Sequence, residues 1–192
     1  MGDNIYDNGL ENSKDKNLHP TDLKQIINKF ERPYGIFGKK DFWLSAGNHD
    51  WRGNIQQAIN YTTKSKIWKF PHNHYKIKGL PNWIHIYALD TTRIKVLGDK
   101  DRKFTDQFYD STKSETKEKQ LSGIMSAEKA ICKKKGWKMI YGHHPILTSG
   151  SHGRHNFGTF KKTVSNLRRK HGFIPEMRKR LIPFMHKCKI QI

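Results

Sequence analysis

Long apolar runs are missing from this 192-residue chain. The densest window, residues 83–89, is interrupted by His85 and falls far short of the roughly 20 apolar residues that cross a bilayer. No membrane span and no membrane partner are therefore expected. Cysteine is scarce as well. Cys132 and Cys188 lack CxxC spacing, which points to neither a zinc knuckle nor a disulfide framework and leaves the redox compartment open. Acidic residues nearly vanish after Glu128: from residue 129 onward sixteen Lys and Arg face Glu176 alone. That third carries +15 of a net +20. A stretch so basic suits nucleic acid or an anionic surface. Its charges are spread over several expected elements, however, with no RNP-like or finger-like motif, and the ordinary reading is a lysine-rich solvent face. The N-terminal residues lack the charged and apolar regions of a signal peptide, and no compartment is assigned.

What the chain does hold excludes disorder. Its mean hydropathy of −0.87 is polar, yet five Trp, seven Tyr and ten Phe need a core to bury them. The length suits one domain over residues 1–192. Leu23, Ile26, Ile27 and Phe30 recur at helical spacing, so a helix is predicted over 21–30 with Thr21 as its N-cap. Residues 41–46 read as a buried strand ending at Gly47. A helix begins near Ile55. Residues 74–80 and 83–89 read as paired strands about a turn at Leu80-Pro81-Asn82. A polar loop over 99–119 precedes a helix over 118–134, a strand over 137–141 and a loop over 143–153. Helical stretches follow at 160–171 and 175–187, then a strand beginning at Lys189. Alternating strands and helices favour a layered α/β domain.

Three polar clusters sit where such folds build sites, on loops just past strand ends. They are Gly2-Asp3-Asn4-Ile5-Tyr6, Gly47-Asn48-His49-Asp50, and Gly142-His143-His144-Pro145 with His152-Gly153 behind it. Each offers oxygen or imidazole donors beside a glycine that lets the backbone turn tightly. Singly, each is also an ordinary turn or a surface histidine. Jointly, in this order, they suit a site for hard or borderline metal ions, because mixed oxygen and imidazole donors favour iron, zinc or manganese.

The three clusters resemble motifs of the calcineurin-like metallophosphoesterases, and within that superfamily the tartrate-resistant (purple) acid phosphatases. Tyr6, three residues after Asp3, narrows the resemblance, as does the run from Gly142 to Gly153. Asp90-Thr91, Gln120-Leu121 and the Leu181 to Pro183 segment add to it. The resemblance implies a layered αββα sandwich and a dinuclear centre of Fe(III) with Fe(II), Zn or Mn. It implies that Asp3 bridges the metals, that Tyr6 ligates the first, and that Asn48 and His143 ligate the second. His49 and His152 would line the phosphate, one of them protonating the leaving alkoxide. His144 would either support a ligand by a hydrogen bond or simply pack. The implied activity is hydrolysis of phosphomonoesters, and the family is often secreted or lysosomal.

The family pattern also includes an upstream Asp and a Gly-His-x-His element, and neither is present here. The chain is thus expected to be a partial calcineurin-like phosphoesterase domain, lacking a first strand and C-terminal strands. Without one Asp and two His ligands it is expected to bind metal weakly and to be weakly active or inactive. The competing reading is a catalytically dead remnant that binds anions or nucleic acid through its basic residues. The substrate beyond a phosphomonoester and the oligomeric state are not encoded in any motif.

Overall fold

The computed structural model describes residues 2–13, 17–96, 117–146 and 173–191. The first helix opens at Pro20, whose missing N–H suits the first helical position. His19 Nδ1, not Thr21, caps it, accepting from the Thr21 N–H at 3.3 Å. Helix α1 (Pro20–Ile26) passes through a wider π turn (Ile27–Glu31) into α2 (Arg32–Gly35). Ile26 and Phe30 are buried as the spacing requires, while Leu23 remains at the surface. Buried Asp22 in the first turn accepts from Ser13 Oγ at 2.5 Å and Asn12 Nδ2 at 2.9 Å. These bonds fasten the helix start to the loop that leaves the N-terminal cluster.

Strand β1 (Phe42–Trp43) pairs in parallel with β2 (Trp68–Lys69), Phe42 opposite Trp68. The regular ladder is shorter than the apolar run 41–46 suggested, though Leu44 N still donates to Lys69 O at 2.9 Å. Between the two strands lie α3 (Asn48–Arg52), α4 (Ile55–Asn60) and a short 3-10 turn (Tyr61–Thr63). Trp68 is fully buried, edge-on to Phe30 at 4.7 Å, and its indole N–H is satisfied by Ala58 O at 3.0 Å. A buried Trp thus keeps its polar tip paired while its rings fill the core.

The second sheet is mixed. Strand β3 (Tyr75–Lys76) is antiparallel to β4 (Ile84–Ala88), which is parallel to β5 (Trp137–Tyr141). The hairpin about Pro81 is as predicted, with Ile84 N donating to Pro81 O at 3.0 Å. Alternation along β4 separates two apolar clusters: Ile86 and Ala88 join Trp68 and Phe70, whereas Tyr87 and Leu89 face the helices. Those helices are α5 (Thr91–Val96), α6 (Lys117–Ile131) and α7 (Phe173–Cys188). Ile94, Ala127, Ile131, Met177 and Leu181 bury themselves there. The chain is therefore mixed α/β with small sheets.

Two expectations are corrected. Cys132 and Cys188 are joined as a disulfide, their Cα atoms 4.4 Å apart, which ties the end of α6 to the end of α7. Their separation of 56 residues hides the pairing from any spacing rule. No strand begins at Lys189. That residue is a turn with φ of 52°, and among the described residues the backbone bond from Gln191 N to Lys138 O at 2.8 Å is the one that reaches β5. Most of the loop over 99–119, the helix over 160–171 and the later part of the 143–153 loop lie outside the described residues.

Candidate metal centre

Parallel pairing decides where the site forms. Ala88 lies opposite Tyr141, so the chains leaving β4 and β5 emerge at the same end of their sheet. Tyr75 and Tyr141 then join the two sheets. Tyr75 Oη donates to Leu44 O at 2.5 Å, and Tyr141 Oη donates to Trp43 O at 3.2 Å. The loop after β1, carrying Gly47 to Asp50, is thereby brought to the loop after β5, carrying His143. The N-terminal cluster lies between them.

At the centre is Asp3. Its Oδ2 accepts from Tyr6 Oη at 2.9 Å and lies 3.1 Å from His143 Nε2. Its Oδ1 accepts from the His49 backbone N–H at 2.8 Å, while His49 Nε2 stands 3.9 Å from Oδ2. Burial pushes the Asp3 carboxyl up. The hydrogen bonds from His143, His49 N–H and Tyr6 outweigh burial and hold it well below the ordinary carboxylate range. Burial, then the bond to Asp3, pushes the Tyr6 phenol up.

Close approach explains two glycines. A Cβ on Gly47 would fall 2.2 Å from Asp3 N and 2.2 Å from Asp3 Oδ1. A Cβ on Gly2 would fall 2.6 Å from His143 Cβ, and Gly2 also has φ of 76°. Asp3 itself sits at φ of 51°, a left-handed conformation that few side chains other than Asp and Asn adopt readily. Such an outlier persists where its surroundings over-determine it. Here the determinant is Asp50, whose carboxylate is 5% exposed. It accepts from Asn4 N at 2.8 Å, Asn4 Nδ2 at 2.9 Å, Ile5 N at 3.2 Å and Gly47 N at 2.9 Å. Asp50 thus clamps the N-terminal cluster onto the head of α3.

Sequence reasoning singled out the motif containing Asp50 but gave that residue no role. The signal was present: an acid at the third helical position, reaching back to the backbone of a cap, is half of a capping box. Arg52 and Lys29 also went unnoticed. Arg52 Nη1 lies 3.2 Å from His49 Nδ1, and Lys29 Nζ donates to Tyr6 O. His49 Nδ1 faces Asp7 O and its ring packs on Tyr6 at 4.4 Å between centroids. Asn48 opens α3, half-buried, and among the described contacts at Asp3 none comes from its side chain. His144 is buried, with its N–H and Nδ1 both on Thr91 Oγ1 at 2.9 and 3.0 Å. That anchorage holds the loop after β5 to the end of β4. Asp90, beside it, caps α5 through Thr92 N at 3.0 Å and accepts from Trp51 Nε1 at 2.9 Å, tying α3 to α5. His152 lies outside the described residues.

The donor chemistry fits a metal. Two cis ligands about 2.1 Å from one octahedral ion lie about 3 Å apart. The Tyr6–Asp3 and Asp3–His143 separations of 2.9 and 3.1 Å permit that spacing, as any ordinary hydrogen bond would. Among the described residues, however, no group of three or more His, Cys, Asp or Glu side chains is gathered to hold an ion. Phenol and amide donors would have to complete any such set.

No protein-family model matches the chain. Among curated proteins it is 27% identical over 157 residues to the human "Tartrate-resistant acid phosphatase type 5", covering 80% of this chain and 45% of that one. It is 28% identical over 157 residues to the pig protein of the same name, covering 80% and 43%. It is 27% identical over 160 residues to "Purple acid phosphatase 7" of Arabidopsis thaliana, covering 80% and 44%. The chain spans under half the length of these relatives. Over that span it is a distant homologue of the tartrate-resistant and purple acid phosphatases.

Proposed function

We propose that the chain carries part of a dinuclear metal site for hydrolysis of phosphomonoesters, within a partial αββα phosphoesterase domain that covers residues 1–192. The observation that supports this reading is the convergence of Tyr6 Oη and His143 Nε2 on one oxygen of Asp3. In this reading two cations would share Asp3, with Tyr6 holding the first and Asn48 and His143 holding the second. The cations, Fe(III) with Fe(II), Zn or Mn, would supply Lewis-acid polarisation and neutralise phosphate charge. Asp3, held ionised by its donors, is already in the form a cation requires. Tyr6 must surrender the proton it now donates to Asp3, so metal binding releases protons.

His49 stands at the rim, its ring braced by Tyr6 and its Nδ1 directed at Asp7 O. That bracing leaves Nε2 to meet a phosphate or to protonate a departing oxygen. His152 is proposed as the second such histidine. Asp50 and the Thr91–His144 pair position these groups and touch no substrate. The described donors would give the first cation Asp3 and Tyr6, and the second Asp3, Asn48 and His143. Among the described residues these sets fall short of two closed shells, so weak binding and slow turnover are expected.

Hydrolysis of p-nitrophenyl phosphate by the chain, with iron, zinc or manganese added, tests the reading. Slow, chelator-sensitive release of nitrophenolate is expected, and both Asp3→Asn and His49→Ala should abolish it. Release that ignores the chelator and both substitutions removes the enzyme reading.

A further inference from the structure

We infer that the segment between α2 and β1 is a docking tip for an anionic lipid surface. Residues 32–40 are exposed without interruption. Ile36 is 80% exposed, more than any other large apolar side chain among the described residues, and Phe37 beside it is 58% exposed. Phe37 only leans on Phe42, at 6.2 Å between centroids, and a Cβ on neighbouring Gly35 would meet nothing within 4 Å. This is a protruding apolar point and not a groove, so a partner must receive it rather than fill it.

Charge decides the partner. Lys39 and Lys40 follow the tip directly, and the parallel pairing of β1 with β2 sets a second basic pair beside them. Phe42 N donates to Ile67 O at 2.8 Å, which puts Lys64 and Lys66 at the same end of the sheet. All four lysines are exposed. The acids nearby are already engaged. Asp41 pairs with Lys69 at 3.7 Å, and Glu31 bonds the Tyr61 phenol. An apolar point beside four exposed lysines matches a bilayer interface, where acyl chains lie beneath anionic headgroups. The expectation of no membrane partner rested on missing apolar runs, and a tip this short escapes that test. The chain runs from the tip through β1 to Gly47, so the tip and the Asp3 site lie beyond opposite ends of that strand.

Co-sedimentation of the full chain with phosphatidylcholine vesicles, alone or with about one-third phosphatidylserine, tests the inference. The chain is expected to sediment with the anionic vesicles only. The net charge of +20 would attract such vesicles without any tip, so Ile36→Ser with Phe37→Ser, which leaves the charge unchanged, is the deciding variant. It should weaken partitioning about tenfold. Lys39→Glu with Lys40→Glu should weaken it about tenfold or more. Both pairs are exposed, and unchanged thermal melts confirm that each variant folds. Partitioning equal to the parent in the serine variant overturns the inference, because charge alone would then suffice. So does self-association of the parent without vesicles that the serine variant abolishes, since the tip would then be a contact between copies.

Discussion

Asp50→Ala is the perturbation whose size follows most directly from the geometry. The Asp50 carboxylate accepts from four donors, three of them backbone N–H groups. Removing it strands buried donors that cost about 1–3 kcal/mol each when unmet, less whatever water or relaxation recovers. A net loss of about 3–5 kcal/mol is expected, typical of breaking a buried charged network. In a chain of this length each kcal/mol moves the melting temperature by about 2–4 °C, so Asp50→Ala should melt about 10 °C lower. Asp50→Asn keeps the volume and one acceptor oxygen and should lose about half as much. Burial pushes the Asp50 carboxyl up to about 6 against the pull of its N–H donors. The melts therefore belong at about pH 8, where the parent is ionised, with a chelator present to remove any metal contribution. Circular dichroism is the assay. An Asp50→Ala melt within about 2 °C of the parent would refute the clamp, and with it the account of how Asp3 is held in its left-handed conformation.

Asp90 gives a pH dependence of defined sign. Burial pushes its carboxyl up to about 7, above the unfolded value of about 3.9. Between those limits the folded state holds a proton that the unfolded state has released. The Asp90 contribution is thus full below about pH 4 and is lost as pH rises through about 7. Asp90→Asn should flatten the fall in melting temperature across that window, and a fall of equal size in the variant contradicts the assignment. The Cys132–Cys188 bridge closes a loop of 56 residues' separation, worth about 4 kcal/mol in the chain-entropy description. Reduction, or Cys132→Ser with Cys188→Ser, should lower the melt by about 10 °C. No shift under reductant means the bridge does not form in solution.

The clusters of the candidate site are more legible in the sequence than the elements that hold them. Gly47 to Asp50 and His143 stand out because glycines and donors interrupt apolar runs at strand ends. Parallel pairing then carries those loops to one end of the sheets. Asp3 and Tyr6 needed no long-range information, being a turn apart in the chain. What was not legible depends on distance. Nothing local to Asp50 says that its carboxylate will meet Asn4 and Ile5, some 45 residues away in sequence. Nothing local to Cys132 names Cys188. The apolar run 41–46 announces a buried segment, but the ladder ends after Trp43 because Ser45 O turns to accept from Asn4 Nδ2 at 2.9 Å. Thr21 has a capping hydroxyl, yet Pro20 starts the helix a residue earlier and hands the cap to His19. The strand expected from Lys189 gives way to a turn, where that residue takes a positive φ.

The central claim is that Asp3 collects the donors of a metal site that the described residues furnish only in part. Calorimetric titration of the metal-free chain with Zn(II), beside Asp3→Asn, tests it most directly. Weak binding by the parent, with proton release and complete loss in Asp3→Asn, is the expected result. Tight, stoichiometric uptake of two ions by the parent, or binding that survives in Asp3→Asn, contradicts the claim.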